Sequence, residues 1–583
     1  MRKILPIAAI VVISGLFMFY AAWNETAIFD ETAHIAAGFG YVRHFDYRLN
    51  PEHPPLVKAL SALPLLFMNL RFPIEADSWQ NEVNGQWDMG SRFLYSSGND
   101  PDDIVRAARI FPIIITLITI ILIYTWSLEL LGRNWAFVPA LLFGFSPTVL
   151  AHGHYVTTDI GATLGVLIST FTFTKMLTHP TRKMATLSGL ALGTALLMKF
   201  SNVLLIPFFI VVTAIHCIAA GKFVIPMKRL LLAFVVASTV VYAVYFLFIL
   251  NYPAERQLSD VSSVLASFEP RALVNLDITL IKNEFLRPFG QYLYGLLMIL
   301  QRAAGGNTAF FLGDLSAHGW WYYFPAVFLL KEPLPSLIIV LLAAAIALSK
   351  FRFRNLRFRS LADYLNVNLA EAAMFLFIIV YWFQSMRSTL NIGIRHLLPT
   401  FPFIYILSTG ALKSWTANKI SFTRIGTAIK TLFKFGIIFT LLAWYAVGTF
   451  TASPYFLSYF NEIGGGTKNG YKYVTDSNYD WGQDLKRLKT FVEENNIKKI
   501  AVDYFGGGNP KHYLGNTYEG WWSAKGSPKE KDIEWLAVSV NTLQGALAKA
   551  DPELNRKPED EYSWLRGMEP VARAGTSIFI YKF

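Results

Sequence analysis

Three short stretches set acids beside bases at spacings that suit proton transfer and anion binding. The first, Asn24 to His34, holds Asp30 and Glu31. The second, Asn50 to Lys58, gathers Glu52, His53 and Lys58 around the double proline Pro54-Pro55. The third, Ala151 to Asp159, carries His152 and His154 and ends on Asp159. A carboxylate within reach of a hydroxyl can take its proton as the oxygen attacks. Cations already in place around a leaving phosphate stabilise the charge that develops as it departs. Lys199, Lys331 and Arg395, the last followed by His396, are candidates for that task. Arginine suits it because its fork donates two hydrogen bonds to a phosphate.

Each stretch also has a plainer reading. Asp30 suits the N-cap of a helix running through Tyr41. The Glu31-x-x-His34 spacing resembles half of a zinc-protease motif, but Asp30 stands where the first ligand histidine belongs, which excludes that reading. The two prolines fix φ twice and stop any helix through them, so the second stretch could simply start an apolar helix at 56–70. An acid, an imidazole and an amine beside such a turn would equally suit an anion or a metal. His152 and His154 supply two metal ligands, too few to define a site. Asp159 lies at a membrane boundary, where a carboxylate is costly unless solvated or paired. Any one of the lysines or Arg395 is explained by snorkelling to the interface.

These residues must be positioned by a scaffold embedded in a bilayer. The chain has 583 residues, 54% hydrophobic and only 16% charged, against about 25% charged in soluble chains. Disorder and an ordinary cytosolic enzyme are excluded. The single cysteine, Cys217, rules out an intrachain disulfide. A crossing helix takes about 20 apolar residues. Such segments are expected near 4–22, 108–130, 135–151, 160–176, 184–198, 203–220, 230–250, 322–349, 369–385, 396–412 and 432–451, about eleven in all. The first could be a cleaved signal peptide, although its length favours a retained anchor.

Positive charge sorts the loops. With Arg2 and Lys3 inside, the cytoplasmic loops carry Arg133; Lys175, Arg182 and Lys183; Lys222, Lys228 and Arg229; Lys350, Arg352, Arg354, Arg357 and Arg359; and Lys413, Lys419, Arg424 and Lys430. The net charge of +12 is thereby absorbed by topology, and no nucleic-acid partner is needed. The opposite face receives a first outer loop at 23–107, a second long one at 251–321 and the tail 452–583. All the conspicuous polar motifs fall on that face. The chain thus divides into a transmembrane module, 1–451, and an extracytoplasmic α/β domain, 452–583. In the tail, Asp480 could cap a helix through Leu485, Leu488 and Val492, and strands are expected at 498–505, 533–540 and 571–582. No phosphate-binding loop, dinucleotide fingerprint or serine-nucleophile elbow is present, which argues against a nucleotide-driven pump or a serine hydrolase.

The motifs in combination resemble the GT-C superfamily: Asp30-Glu31 after the first span, Glu52-His53-Pro54-Pro55 in the same loop, and Thr158-Asp159 before a later span. Within it they are similar to the family-39 branch of protein O-mannosyltransferases and lipid A aminoarabinose transferases. Gly319 to Pro325 with Lys331, Gly393 to Pro399, and Asp476 to Leu485 look like a bacterial subgroup of phospholipid-carrier-dependent glycosyltransferases. The resemblance implies a polytopic helical membrane protein of GT-C type that moves a sugar, with inversion, from a polyprenyl-phosphate donor to an extracytoplasmic hydroxyl on a protein, lipid or envelope glycan.

Carried over residue by residue, the resemblance makes Asp30 the general base or acceptor positioner, with Glu31 beside it, and Asp159 the second carboxylate of the pocket. His53, Lys58, Lys199, Lys331 and Arg395 share the donor phosphate. Glu52, His152, His154 and His396 fall to the acceptor and sugar pocket. No cofactor is firmly implied; a divalent metal stays open, although Asp-Glu in place of Asp-x-Asp favours metal independence. The expected partners are the lipid-linked donor, membrane lipid and an acceptor, and the expected location is a bacterial inner membrane, with the N-terminus cytoplasmic. The competing reading is a transporter or flippase of lipid-linked sugars, which would use the same cations to hold phosphate. A non-catalytic assembly subunit with an aromatic tail for glycan binding is the third.

Overall fold

The structure is a computed structural model that describes residues 5–350, 367–417 and 425–583. Arg2, Lys3, Arg352, Arg354, Arg357, Arg359, Lys419 and Arg424, on which the expected topology leans, lie outside the described residues. The protein is a multi-pass helical membrane protein. Among the described residues, seven helices are long and apolar enough to cross: Leu5–Asn24, Pro101–Leu131, Asp159–Thr178, Phe200–Ala220, Val224–Phe248, Leu369–Met386 and Ile429–Ala452. An eighth span forms if Tyr323–Lys331 and Leu334–Ser349 are taken together, although they bend by 118°.

The remaining expected spans are helical but short. The segment expected at 135–151 breaks into Phe137–Gly144 and Pro147–His152. Ser146 restarts the chain there, its hydroxyl accepting from the Val149 amide at 3.4 Å, and Pro147 fits the first turn of the second piece. Arg182–Met198 has 17 residues, and the span expected at 396–412 is a 3-10 turn, Ile394–Thr400, followed by Phe401–Thr416. Pro399 lies inside that 3-10 turn, where it removes an amide donor. The turn carries Arg395, so the irregular backbone falls where the polar chemistry is.

Asp159–Thr178 is the most enclosed of the crossing helices, with 78% of its apolar window buried. It packs against Arg182–Met198, and small residues set the spacing: a Cβ on Gly165 would come within 2.9 Å of Ala195. The acid that opens this helix, Asp159, is thereby held at the centre of the bundle.

The tail folds as an α/β unit. Strands β1 (Ala309–Phe311) and β2 (Asp314–Ser316) belong to the long loop at 251–321. β3 (Ile500–Asp503), β4 (Tyr518–Gly520), β5 (Trp535–Ser539), β6 (Lys549–Ala550), β7 (Ala572–Ala574) and β8 (Ile578–Lys582) belong to the tail. Five of them form a sheet in the order β4-β3-β5-β8-β7, with β3 parallel to β4 and β5, and β8 antiparallel to β5 and β7. The helix Leu485–Glu494 lays Leu485, Leu488 and Val492 on this sheet, in the expected spacing. Asp480 does not cap it: Asp484 stands at the N-cap position, and the Asp480 carboxylate instead accepts from the amides of Gly482 and Asn541. The other sheet, β1-β2-β6, joins the outer loop to the tail through the parallel pairing of Leu315 with Ala550.

Candidate active site

Asp30 sits in the first turn of the helix Phe29–Phe39. It is the neighbour, Glu31, that caps this helix, accepting from the Ile28 amide at 2.9 Å. Asp30 is therefore free to point elsewhere, and it meets Arg395. Nη1 of Arg395 donates to Asp30 Oδ2 at 2.9 Å and lies 3.5 Å from Asp159 Oδ2. The other Asp159 oxygen takes a short bond from Lys199 Nζ. Two acids and two bases from four separate segments thus form one network. Asp159 is 2% exposed while Asp30 is 22% exposed, so Asp30 is the carboxylate an incoming molecule can reach.

Arg395 is built into place by the tail. The Asn478 side-chain carbonyl accepts from the Ile394 amide at 2.9 Å, and the Ser477 hydroxyl donates to Ile392 O at 2.5 Å. The Arg395 guanidinium lies 4.1 Å from the centre of the Trp481 ring, within cation–π range. Trp481 is anchored in turn to the Asp30 stretch: its carbonyl accepts from Phe29 N, and Gly482 O accepts from the Thr26 hydroxyl at 2.7 Å. The next residue must be glycine, because Gly482 has φ +95 and an added Cβ would lie 2.3 Å from Gly506 Cα. The stretch Asp476 to Leu485 is thus the strut between the two halves of the site. Nε of Arg395 is buried with no hydrogen-bond partner among the described residues, a donor left for an anion.

The other sequence-predicted residues divide sharply. Glu31 is fully buried, paired with Arg109 at 2.7 Å and accepting from the Val156 amide, so both its oxygens are committed to holding loops together. Lys58 is buried and donates to Tyr41 Oη, Asn50 O, Asn50 Oδ1 and His53 O, all within 2.9 Å. Burial holds its amine well below the usual lysine range. It ties the proline turn and leaves no donor for a phosphate. Lys331 donates to Leu457 O at 2.8 Å and Asn478 O at 2.5 Å, pinning the tail rather than facing Asp30. Glu52 accepts from Gln86 at 2.6 Å and Asn84 at 3.2 Å.

The histidines differ in the same way. His154 contacts Glu25 at 3.0 Å and Leu150 O at 2.8 Å, a structural pairing. His152 packs edge-on against Trp481 at 5.9 Å and supports the platform under Arg395. His53 meets His34 edge-on at 5.1 Å. Burial, with the charges of His34, Lys58, Lys199 and Arg302, holds the His53 imidazole well below its usual range. It is neutral there, able to offer a phosphate one hydrogen bond but no charge. His396 faces Phe324 and lies within the fields of Lys199, Arg395 and Asp159.

Two residues outside the expected set of site residues lie beside the site. Arg302, exposed near the end of the helix Arg287–Gly305, is close enough for its charge to act on both His53 and Asp476. It has no ion-pair partner among the described residues. Nothing in its sequence surroundings separates it from other outer-loop cations. Asp476 belongs to a motif quoted above, but only the fold brings it beside Arg395 and Asp30.

No three His, Cys, Asp or Glu side chains converge as ligands among the described residues, and the two central carboxylates are already bound to Arg395 and Lys199.

Comparison with known proteins places the site in context. A family model described as "Dolichyl-phosphate-mannose-protein mannosyltransferase" matches residues 102–244. A search of curated proteins gives no match. Among solved structures, ArnT from Cupriavidus metallidurans bound to undecaprenyl phosphate has 13% identity and a TM-score of 0.49, covering 98% of this chain and 97% of that one. The oligosaccharyltransferase AglB from Archaeoglobus fulgidus, in complex with an inhibitory peptide and a dolichol-phosphate, has 13% identity, a TM-score of 0.44 and coverages of 93% and 71%. The S. cerevisiae Pmt1-Pmt2 complex bound to its sugar donor has 19% identity over 44% of this chain and 34% of that one, with a TM-score of 0.32. Over residues 102–244, which include Asp159 and Lys199, the chain is similar to the dolichyl-phosphate-mannose-protein mannosyltransferases.

Proposed function

We propose that the protein is an integral-membrane glycosyltransferase that moves a sugar from a polyprenyl-phosphate carrier to an acceptor hydroxyl outside the cytoplasm. The observation that carries this reading is the Asp30–Arg395–Asp159–Lys199 network, with one accessible acid and a buried unpaired Arg395 donor beside it. In the reaction, the bond between the anomeric carbon and the phosphate oxygen breaks, and its electron pair stays on the phosphate. The acceptor oxygen attacks the opposite face and forms the new bond. Its proton passes to the Asp30 carboxylate. Arg395 and Lys199, with Arg302 at the rim, stabilise the charge on the leaving phosphate, and their positions are set before the reaction begins. Asp159 holds Lys199 and Arg395 apart and in place.

The match over 102–244 and the motif resemblance support the same chemistry. In this reading the protein lies in a bacterial inner membrane with its N-terminus cytoplasmic. Residues 1–451 form the membrane module and 452–583 an extracytoplasmic domain that reaches back into the site through Asp476 to Leu485. The donor need never leave the bilayer, which accounts for a site at the membrane boundary. The test is to incubate the purified full chain with polyprenyl-phosphate-linked sugar and score sugar-free carrier against carrier moved across the bilayer. Release of free carrier is expected. Translocation of intact donor without release would replace this reading with transport.

A further inference from the structure

A cavity lies next to the acid–base network, and of the site residues described above only Asp476 lines it. It has a volume of about 150 Å3 and is partly enclosed. Its walls come from distant parts of the chain: Ala309 and Phe310 of the outer loop, Asn391 just before Arg395, and Asp476, Asn541 and Gly545 of the tail. Those walls are locked together. Besides the β2–β6 pairing, Phe311 bridges Val474, Leu312 N donates to Tyr473 O at 2.8 Å, and Lys549 N donates to Gly313 O at 2.9 Å. The space is thus a built feature between loop and tail.

The lining has a definite chemistry. Asp476 accepts from the Ser477 amide through one oxygen, and its other oxygen has no protein partner among the described residues. Asn541 uses its carbonyl to accept from the Asp476 amide at 3.1 Å, which leaves its N–H donors without a protein partner among the described residues. Ala309, Phe310 and Leu315 line the apolar side. A carboxylate acceptor, an amide donor and an aromatic surface together match a sugar ring, which presents hydroxyls at its edge and C–H groups on its face. The Asp476 carboxylate repels phosphate or carboxylate groups, so the occupant is neutral. Asn391 of the lining lies four residues before Arg395, and Ser477, next to Asp476, donates to Ile392 O, which puts the cavity beside Arg395 and the acid it holds.

We propose that this cavity is the acceptor subsite and that it takes a neutral, polyhydroxylated unit: one sugar ring of a glycan acceptor, held by Asp476 and Asn541 against Phe310. This inference rests on the transferase reading for its role, although the binding it predicts can be measured separately.

The test uses two substitutions. Gly545 lies in the helix Val540–Leu547, where an added Cβ meets nothing within 4 Å. Gly545→Phe therefore adds bulk at the cavity wall from a Cβ that meets no neighbour, and it replaces a poor helix former. Asp476 has φ +55, a conformation asparagine also tolerates, so Asp476→Asn removes the charge and keeps the backbone. The full chain in lipid nanodiscs is titrated with undecaprenyl phosphate and, separately, with a panel of neutral labelled oligosaccharides and their phosphorylated counterparts.

Wild type is expected to bind at least one neutral saccharide. Each variant is expected to weaken that binding by about tenfold or more while undecaprenyl phosphate affinity stays within about twofold. Saccharide affinity unchanged in both variants, no neutral saccharide bound by wild type, or a preference for the phosphorylated forms would each overturn the subsite. If wild type binds saccharide in the Gly545-sensitive way but transfers no sugar, the subsite stands and the transferase reading falls. If sugar is transferred with an acceptor KM that neither variant changes, the subsite falls and the transferase reading stands.

Discussion

Arg395 and Asp30, 365 positions apart in the chain, meet at 2.9 Å, and the same nitrogen of Arg395 lies 3.5 Å from Asp159. This contact requires residues 30, 159 and 395 to share one side of the membrane. The Trp481 ring from the tail lies 4.1 Å from the same guanidinium and fixes its plane.

Asp30→Asn keeps the shape of the side chain and removes the base. Turnover should fall by about a hundredfold or more, the usual share of a general base, while undecaprenyl phosphate binding is retained. Single-turnover measurement of sugar release checks this. Near-normal turnover would take Asp30 out of the reaction.

Trp481 acts through Arg395 and is a positioning residue. Trp481→Leu should lower kcat several-fold and leave the acceptor KM unchanged, in proportion to a cation–π contact of about 0.5–2 kcal/mol. Trp481→Tyr should recover most of the loss, because it restores an aromatic face. If leucine and tyrosine behave alike, the ring is only filling space.

Glu31 adjoins Asp30 but is committed to Arg109 and the surrounding amides. Removing one partner of a buried pair costs about 3–5 kcal/mol, so Glu31→Ala should lower the melting temperature markedly. Turnover per folded molecule, read at a temperature where both proteins are folded, should stay close to wild type. Lost turnover with unchanged thermal stability would place Glu31 in the chemistry.

Burial pushes the Asp476 carboxyl up to about 6, against the lowering pull of Arg395, the Ser477 amide and Arg302, and with Asp30 raising it further. The ionised form is the better acceptor for a hydroxyl. The acceptor KM should therefore improve as pH rises through about 6 and level off above it, and Asp476→Asn should remove the step. Stability moves the other way. A carboxyl raised above its unfolded value contributes stability that is fully present below the ordinary carboxylate range and is lost as pH rises through about 6. Thermal melts of wild type and Asp476→Asn across that window should converge at low pH, with the variant gaining relative to wild type above it.

Much of the architecture could be read from local properties of the chain. Apolar runs of sufficient length mark Leu5–Asn24, Asp159–Thr178 and the other long crossings, because hydrocarbon thickness sets helix length wherever the helix packs. The helix Leu485–Glu494 and the strand at β3 follow from spacing and β-branched residues in the same way. The segments at 135–151 and 396–412 were less legible, since one or two prolines break a helix while lowering its mean hydropathy only a little.

For the site, the sequence by itself determined that acids and bases cluster in short stretches between the apolar segments and that Asp30 and Asp159 are candidates among them. Only the tertiary structure decided which of these groups remain available. Asp30 and Glu31 are neighbours, yet successive helical residues point about 100° apart. One therefore turns to Arg395 and the other to Arg109. Lys58 and Lys331 are the same residue type as Lys199 but meet backbone carbonyls, while Lys199 meets a carboxylate. Arg302, Asp476 and Trp481 arrive from other segments. Ion pairs form between residues that packing brings together, and no local pattern records which distant helix or loop will supply the partner.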